Sequence, residues 1–138
     1  MKYVFSRRSI DRLNTCHGDL VVLMAEALAD DACPSDMTVL CGSRGEAEQT
    51  AAFESGASQL RFPQSRHNRS PSLAVDVAPY IGGVSWDWAH YHPLAEHIKA
   101  TWARLEASGR LSGAYDLRWG GDWKGGFVDG PHWELRER

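Results

Sequence analysis

The pattern of apolar and polar positions predicts helices in several parts of the chain. Between residues 20 and 28, apolar side chains recur at i, i+3, i+4, i+7 and i+8, which is typical of an amphipathic helix, and Asp19 is suited to cap it. A short helix with Ser9 as its N-cap is predicted before it, and another helix from Glu46 to Ser55. A longer helix is predicted to begin at Pro93, where apolar residues again repeat at helical spacing.

Shorter apolar runs predict the strands of a small sheet. Residues 37–41 and 73–78 are rich in apolar and β-branched side chains, and similar short runs begin at Leu117 and His132. Alternation within residues 73–78 puts Asp76 on the face opposite the larger apolar side chains. Because these strands are mixed with helices and no internal repeat is present, the expected architecture is α+β, with helices packed on one sheet.

Length and composition indicate one soluble globular domain that spans residues 1–138. A net charge of -3 leaves no basic excess, so nucleic acid is not an expected partner. No run approaches the roughly 20 apolar residues of a membrane-spanning helix, and the first residues lack the apolar region of a secretory signal peptide. The expected protein is therefore a soluble monomer that is made in the cytosol and has no membrane partner.

The cysteines do not suggest a disulfide framework. Cys16, Cys33 and Cys41 are odd in number and lack the CxxC spacing of thiolate zinc sites. We expect all of them to be reduced packing residues.

Histidine and aspartate residues in two distant segments are candidates for metal ligands. His67 precedes the strand that contains Asp76, a carboxylate that needs a cation or a metal because its neighbours are apolar. Asp129 and His132 flank a Gly-Pro turn, which allows their side chains to converge. Two imidazoles and one carboxylate suit Zn²⁺ with an open fourth position, and the remaining acid would act as a general base. Spacing alone leaves other metals open.

The same segments resemble a zinc peptidase family that includes phage L-alanyl-D-glutamate endopeptidases and bacterial D-alanyl-D-alanine carboxypeptidases. The matching motifs are SRH with AVDVAP within residues 65–79 and DGPHWEL at 129–135. The likeness extends upstream to Gly42-Ser43-Arg44 with Gln49 and Gly56, and downstream to RWGGDW at 118–123. It is strongest to single-domain phage endolysins. This resemblance implies a mainly antiparallel sheet, as in DD-peptidases and the Hedgehog signalling domain.

The resemblance also implies roles for individual residues. His67, Asp76 and His132 correspond to the zinc ligands, and Asp129 corresponds to the catalytic base. Arg44 corresponds to the residue that binds substrate or stabilises an oxyanion, a role that suits its forked donors. One difference is a longer loop between His67 and Asp76 than the common form of the family has.

Four further residues are candidates for substrate contacts, namely Ser65, Gln49, Asp122 and Trp119. Asp122 is placed equally well as a partner of a ligand histidine or as a turn residue. Trp119 either lines the groove or fills the core. Arg44 itself has a purely structural alternative, as an ion-pair partner of a nearby glutamate.

The resemblance implies hydrolysis of peptidoglycan stem peptides, most simply at the L-alanyl-D-glutamate bond, by an endolysin that lyses the host cell. Such an enzyme accumulates in the host cytoplasm and reaches the wall through a separate pore-forming partner. Two alternatives stay open: a D-alanyl-D-alanine carboxypeptidase or dipeptidase on the same fold, and a zinc-containing domain that binds cell wall without hydrolysis. Free D-alanine among the products would favour the carboxypeptidase, and wall binding without any product would favour the binding domain.

Overall fold

The computed structural model describes residues 2–138, which form helices around a four-stranded sheet. The helices are α1 (Arg7–Leu13), α2 (Gly18–Ala29), α3 (Glu46–Glu54) and α4 (Trp88–Ala107), and the strands are β1 (Asp36–Cys41), β2 (Ala74–Tyr80), β3 (Tyr115–Trp119) and β4 (His132–Glu137). Single 3₁₀ turns lie at Arg66–Asn68 and Gly120–Asp122. The strand order is β1-β2-β4-β3, and every neighbouring pair is antiparallel. The predicted α+β class is confirmed.

The two faces of the sheet have different roles. On one face, Val75 is paired with Trp133, and both pack with α2 and α4 in a single hydrophobic cluster. Since successive side chains of a strand point to opposite faces, the next pair along, Asp76 and His132, lies on the other face. The hydrophobic core therefore lies against one face of the sheet, and the polar side chains lie on the opposite face.

A β-bulge in β1 shifts the register of that strand. Val39 is opposite Val77, but Cys41 is opposite Asp76, so Leu40 is the extra residue between them. Cys41, Asp76 and His132 consequently form one row across β1, β2 and β4. A regular register would have put Leu40 beside the carboxylate instead.

The N-caps of α1 and α2 differ from the predicted ones. Helix α1 is capped by Ser6, because Ser9 is buried inside the helix and its hydroxyl accepts a hydrogen bond from Val39 N at 3.0 Å. Helix α2 is capped by the His17 ring, and the Asp19 carboxylate instead accepts hydrogen bonds from Ser112 N and Oγ at 3.0 and 2.6 Å. In each case a tertiary contact occupies the side chain that the local sequence favoured as a cap.

Helix α4 begins earlier than Pro93, at Trp88. The Asp87 side chain accepts a hydrogen bond from Ala89 N at 2.9 Å and starts the helix there. Pro93 lies in the second turn, where its missing N–H removes a single backbone hydrogen bond. Within residues 2–138, no helix combines the length and the apolarity needed to cross a membrane.

Candidate active site

The site is assembled on the polar face of the sheet from segments at both ends of the chain. Asp76 and His132 are direct neighbours on β2 and β4. His67 reaches them from the 3₁₀ turn at Arg66–Asn68, which is N-capped by Ser65, whose hydroxyl accepts a hydrogen bond from His67 N at 3.2 Å. The long loop that follows His67 thus returns the chain to the strand that carries Asp76.

Three donor atoms of these side chains converge on one point. His67 Nε2 lies 3.2 Å from Asp76 Oδ1, His132 Nδ1 lies 3.1 Å from the same oxygen, and the two nitrogens are 3.3 Å apart. Ligand distances of about 2.0–2.2 Å around tetrahedral zinc require donor atoms about 3.3–3.5 Å from one another. The three edges of this triangle are close to that requirement, so the residues present fit a zinc ion.

The second nitrogen of each imidazole is held by an acceptor. His67 Nδ1 donates a hydrogen bond to Gly42 O at 2.7 Å, and His132 Nε2 donates one to Glu134 Oε1 at 2.8 Å. A carbonyl or a carboxylate only accepts, so each contact places the proton on the outer nitrogen and leaves a lone pair on the inner one. Both lone pairs face Asp76, as metal ligands require.

The electrostatics of the cluster also favour a cation at its centre. Burial disfavours the imidazolium of His67, but the Asp76 carboxylate outweighs this and raises the pKa of His67 to about 10. Burial likewise opposes the charge of Asp76, and the two histidines hold its pKa well below the usual range. A metal cation bound at this point would replace the proton that His67 otherwise takes up beside Asp76.

Two overlapping groups of residues have ligand atoms within 4.8 Å of one another: Cys41 with His67 and Asp76, and Asp76 with Asp129 and His132. Cys41 is a free cysteine, as expected, but its half-buried thiol lies beside the site and not in the core. Cys16 and Cys33 are buried in the core as expected. The sequence holds no signal for the difference, because Cys41 reaches the site through the bulge in β1.

Asp129 lies at the edge of the converging donors, on the turn before β4. Its backbone N–H donates to Gly120 O at 3.1 Å, and its carbonyl accepts from His132 N at 3.2 Å, which fixes the turn against both neighbours. Burial and the nearby Asp76 raise the pKa of the Asp129 carboxyl above its ordinary value. A half-buried acid with a raised pKa is suited to accept and return a proton.

A cleft of about 260 Å³ opens in front of these groups. One wall includes Trp123, whose ring centroid is 4.9 Å from that of His132, and Phe127, which stacks on Trp123. Other side chains that line the cleft are those of Arg44, Ser58, Gln59, Leu60, Ser65, Arg66, His67, Lys124, Asp129, His132 and Glu134. Trp123 belongs to the RWGGDW motif at 118–123, and of the tryptophans in that motif it is the one that lines this cleft.

Arg44 joins the site through Asp76. Its Nη2 donates to Asp76 Oδ2 at 3.2 Å and its Nη1 donates to Gln49 Oε1 at 3.0 Å, so it does not form the predicted alternative ion pair with a neighbouring glutamate. Gln49 is fully buried and also donates to Ser58 Oγ and Leu60 O. The prediction that Gln49 contacts substrate is wrong, because its amide is enclosed by protein and holds Arg44 in place.

The structure places the other three predicted substrate-contact residues in different surroundings. Ser65 lines the cleft, but its hydroxyl is used to cap the turn that carries His67. Asp122 ends the 3₁₀ turn after β3, where it is exposed and paired with Lys99 Nζ at 2.8 Å, so of its two predicted roles the structure favours the turn residue. Trp119 is buried, stacks on Trp133 and donates to Gly130 O at 2.8 Å, so it belongs to the core and supports the turn behind Asp129.

Comparisons with known proteins point to the same family as the sequence motifs. A family model described as phage L-alanyl-D-glutamate peptidase matches residues 1–136. Among solved structures, the Serratia marcescens L-Ala D-Glu endopeptidase ChiX is similar, with 31% sequence identity, a TM-score of 0.75, and coverage of 98% of this chain and 92% of that one. No curated protein matches the chain.

Proposed function

Because the chain belongs to the family of phage L-alanyl-D-glutamate peptidases, we propose that it cleaves this bond with a zinc ion held by His67, Asp76 and His132. The observation that carries the metal assignment is the triangle of donor atoms with edges of 3.1 to 3.3 Å. The outer nitrogens of both histidines are already bound to acceptors, so the inner lone pairs are available together. A zinc ion bound there would polarise the scissile carbonyl and lower the pKa of water in its open position.

Asp129 acts as the general base and then as the general acid. Asp129 lines the cleft beside His132, and burial together with the nearby Asp76 raises the pKa of its carboxyl, which favours proton uptake from the attacking water. Removal of a proton from the attacking water leaves Asp129 neutral. Delivery of that proton to the amine of the leaving D-glutamate then restores the carboxylate, so the residue returns to its starting state.

Arg44 has two tasks in this proposal. Its contact with Asp76 Oδ2 orients the other carboxylate oxygen, Oδ1, toward the histidines. Its guanidinium also lines the cleft, where a fixed positive charge stabilises the oxyanion that forms on the scissile carbonyl. The buried Gln49 holds this guanidinium in position.

The test is digestion of purified peptidoglycan, with mass spectrometry of the soluble products. Wild-type protein loaded with zinc should release peptides with a new D-glutamate N-terminus, chelator should stop the release, and added zinc should restore it. Release of free D-alanine would instead show carboxypeptidase activity, and binding to the wall without products would show a non-catalytic domain. Activity that persists after verified metal removal would rule out the zinc assignment.

The biological setting proposed for this activity is host lysis, with residues 1–138 acting as a single catalytic domain. The family description as phage peptidases supports this setting. Purified protein added to bacteria with a permeabilised outer barrier should then lower culture turbidity, and the Asp129→Ala variant should not. Digestion of isolated peptidoglycan without any lysis of such cells would argue against the lytic role.

A further inference from the structure

Glu134 is a buried carboxylate that the proposed mechanism does not use. It lies two residues after His132 on β4, so the two side chains project from the same face of the sheet. Its exposed fraction is only 4%. A buried carboxylate is costly unless it is paired and hydrogen-bonded, so its retention beside the site calls for a specific set of partners.

Those partners lie on both sides of the carboxylate. Oε1 accepts the hydrogen bond from His132 Nε2 at 2.8 Å, on the side away from Asp76. Oε2 accepts from Arg136 Nε at 2.5 Å and lies 3.8 Å from Arg66 Nε. The two arginines therefore place positive charge beside the buried Glu134 carboxylate.

Arg66 brings the turn that carries His67 close to the Glu134 carboxylate. It precedes His67 in the 3₁₀ turn, and its Nη1 donates to Leu135 O on β4 at 3.1 Å. Arg66 also forms an ion pair with Glu137 at the end of the same strand. The turn that carries His67 is therefore attached to β4 through the Leu135 carbonyl and lies beside the Glu134 carboxylate, whereas the pair with Glu137 lies at the surface, where ion pairs contribute little.

We infer that Glu134 is a positioning residue that aims the His132 lone pair at the metal site and ties the His67 turn to β4. This inference rests on the proposed function. The carboxylate fixes the proton on His132 Nε2, which leaves Nδ1 free to bind metal, and its charge makes the imidazole a better donor. Without the Glu134 carboxylate, the His132 proton can lie on either ring nitrogen, and Arg66 loses a buried anion as its neighbour.

The experiment compares Glu134→Ala and Glu134→Gln with Glu137→Gln. The Glu137 variant is a matched control, because Glu137 pairs with the same arginine but is exposed and does not contact His132. Zinc affinity of the purified proteins is measured by competition with a chromogenic chelator. We expect Glu134→Ala to bind zinc about 10–100-fold more weakly, Glu134→Gln to lose less because its amide oxygen still accepts, and Glu137→Gln to match wild type.

A spectroscopic readout separates positioning from simple loss of stability. Imidazole ¹⁵N NMR of the zinc-loaded protein should show the His132 proton on Nε2 in wild type and in Glu137→Gln, and a changed pattern in Glu134→Ala. If Glu134→Ala does not fold, the zinc affinity and the NMR pattern of Glu134→Gln decide. Wild-type zinc affinity in every folded Glu134 variant would overturn the inference, whereas a wild-type protein that neither binds zinc nor cleaves peptidoglycan would overturn the proposed function instead.

Discussion

Gly120 lies directly behind the two catalytic segments, and the substitution Gly120→Ala tests how closely they must be placed. A Cβ atom at this position would lie 2.4 Å from Asp129 O and 3.0 Å from His132 Cβ. Ordinary contacts between such atoms are about 3.5 Å. The clash is with backbone, which cannot turn aside as a flexible side chain can, so the turn that carries Asp129 must retreat by roughly 1 Å.

Gly120→Ala is expected to lower both the free energy of unfolding and the rate of peptide cleavage. Overpacking of a buried site costs about 1–3 kcal/mol of unfolding free energy. A displacement of about 1 Å in a catalytic group can reduce the rate by about 100-fold. The loss of activity should therefore greatly exceed the unfolded fraction, because a domain with an ordinary stability of about 5–15 kcal/mol stays mostly folded after a loss of that size.

Gly18→Ala is the matched control. Gly18 is the first residue of α2, and a Cβ there would meet no heavy atom within 4 Å. This variant should be as active as wild type and more stable by up to about 1 kcal/mol. Thermal unfolding and the rate of peptide release from peptidoglycan are measured for both variants. A Gly120→Ala protein that is destabilised yet cleaves at the wild-type rate would refute the idea that Asp129 and His132 require this close placement.

Three further substitutions test separate parts of the site. Asp129→Asn should bind zinc like wild type and lose about 10²–10⁴-fold in kcat, as expected for removal of a general base, and a near-normal rate would exclude Asp129 from proton transfer. Arg44→Lys should lose about 10-fold or more in kcat/KM because a lysine cannot contact Asp76 and Gln49 together, and equal kinetics would show that only charge matters. Gln49→Leu should lower the unfolding free energy by about 2–4 kcal/mol in denaturant titrations, since the Arg44 guanidinium, the half-buried Asn68 amide and the Leu60 carbonyl each lose a partner, and unchanged stability would contradict its role in the network.

The residues of the proposed metal site could be predicted from the sequence because they lie in short motifs that resemble those of a known family. A charged residue inside an apolar strand, as at Asp76, points to a partner whatever the fold. Glu134 was accessible in the same way, since period-two alternation from His132 places it on the site face. The sequence therefore contains more of the site than the ligands alone.

Other features depend on tertiary contacts that no local pattern encodes. Cys41 faces the site only because β1 carries a bulge. Gln49 resembled a substrate-binding residue, but the chain folds over it and encloses its amide. Asp122 shares a motif with Trp119, yet the turn after β3 directs its carboxylate to Lys99 instead of the site. In each case the missing information is the position of a distant segment.

The most direct test of the account is an anomalous difference map recorded at the zinc edge from crystals of the protein grown with zinc. The account predicts one strong peak in contact with His67 Nε2, Asp76 Oδ1 and His132 Nδ1, with Asp129 in the cleft beside it. A peak bound by Cys41 in place of His132, or a map without a peak between these residues, would contradict it.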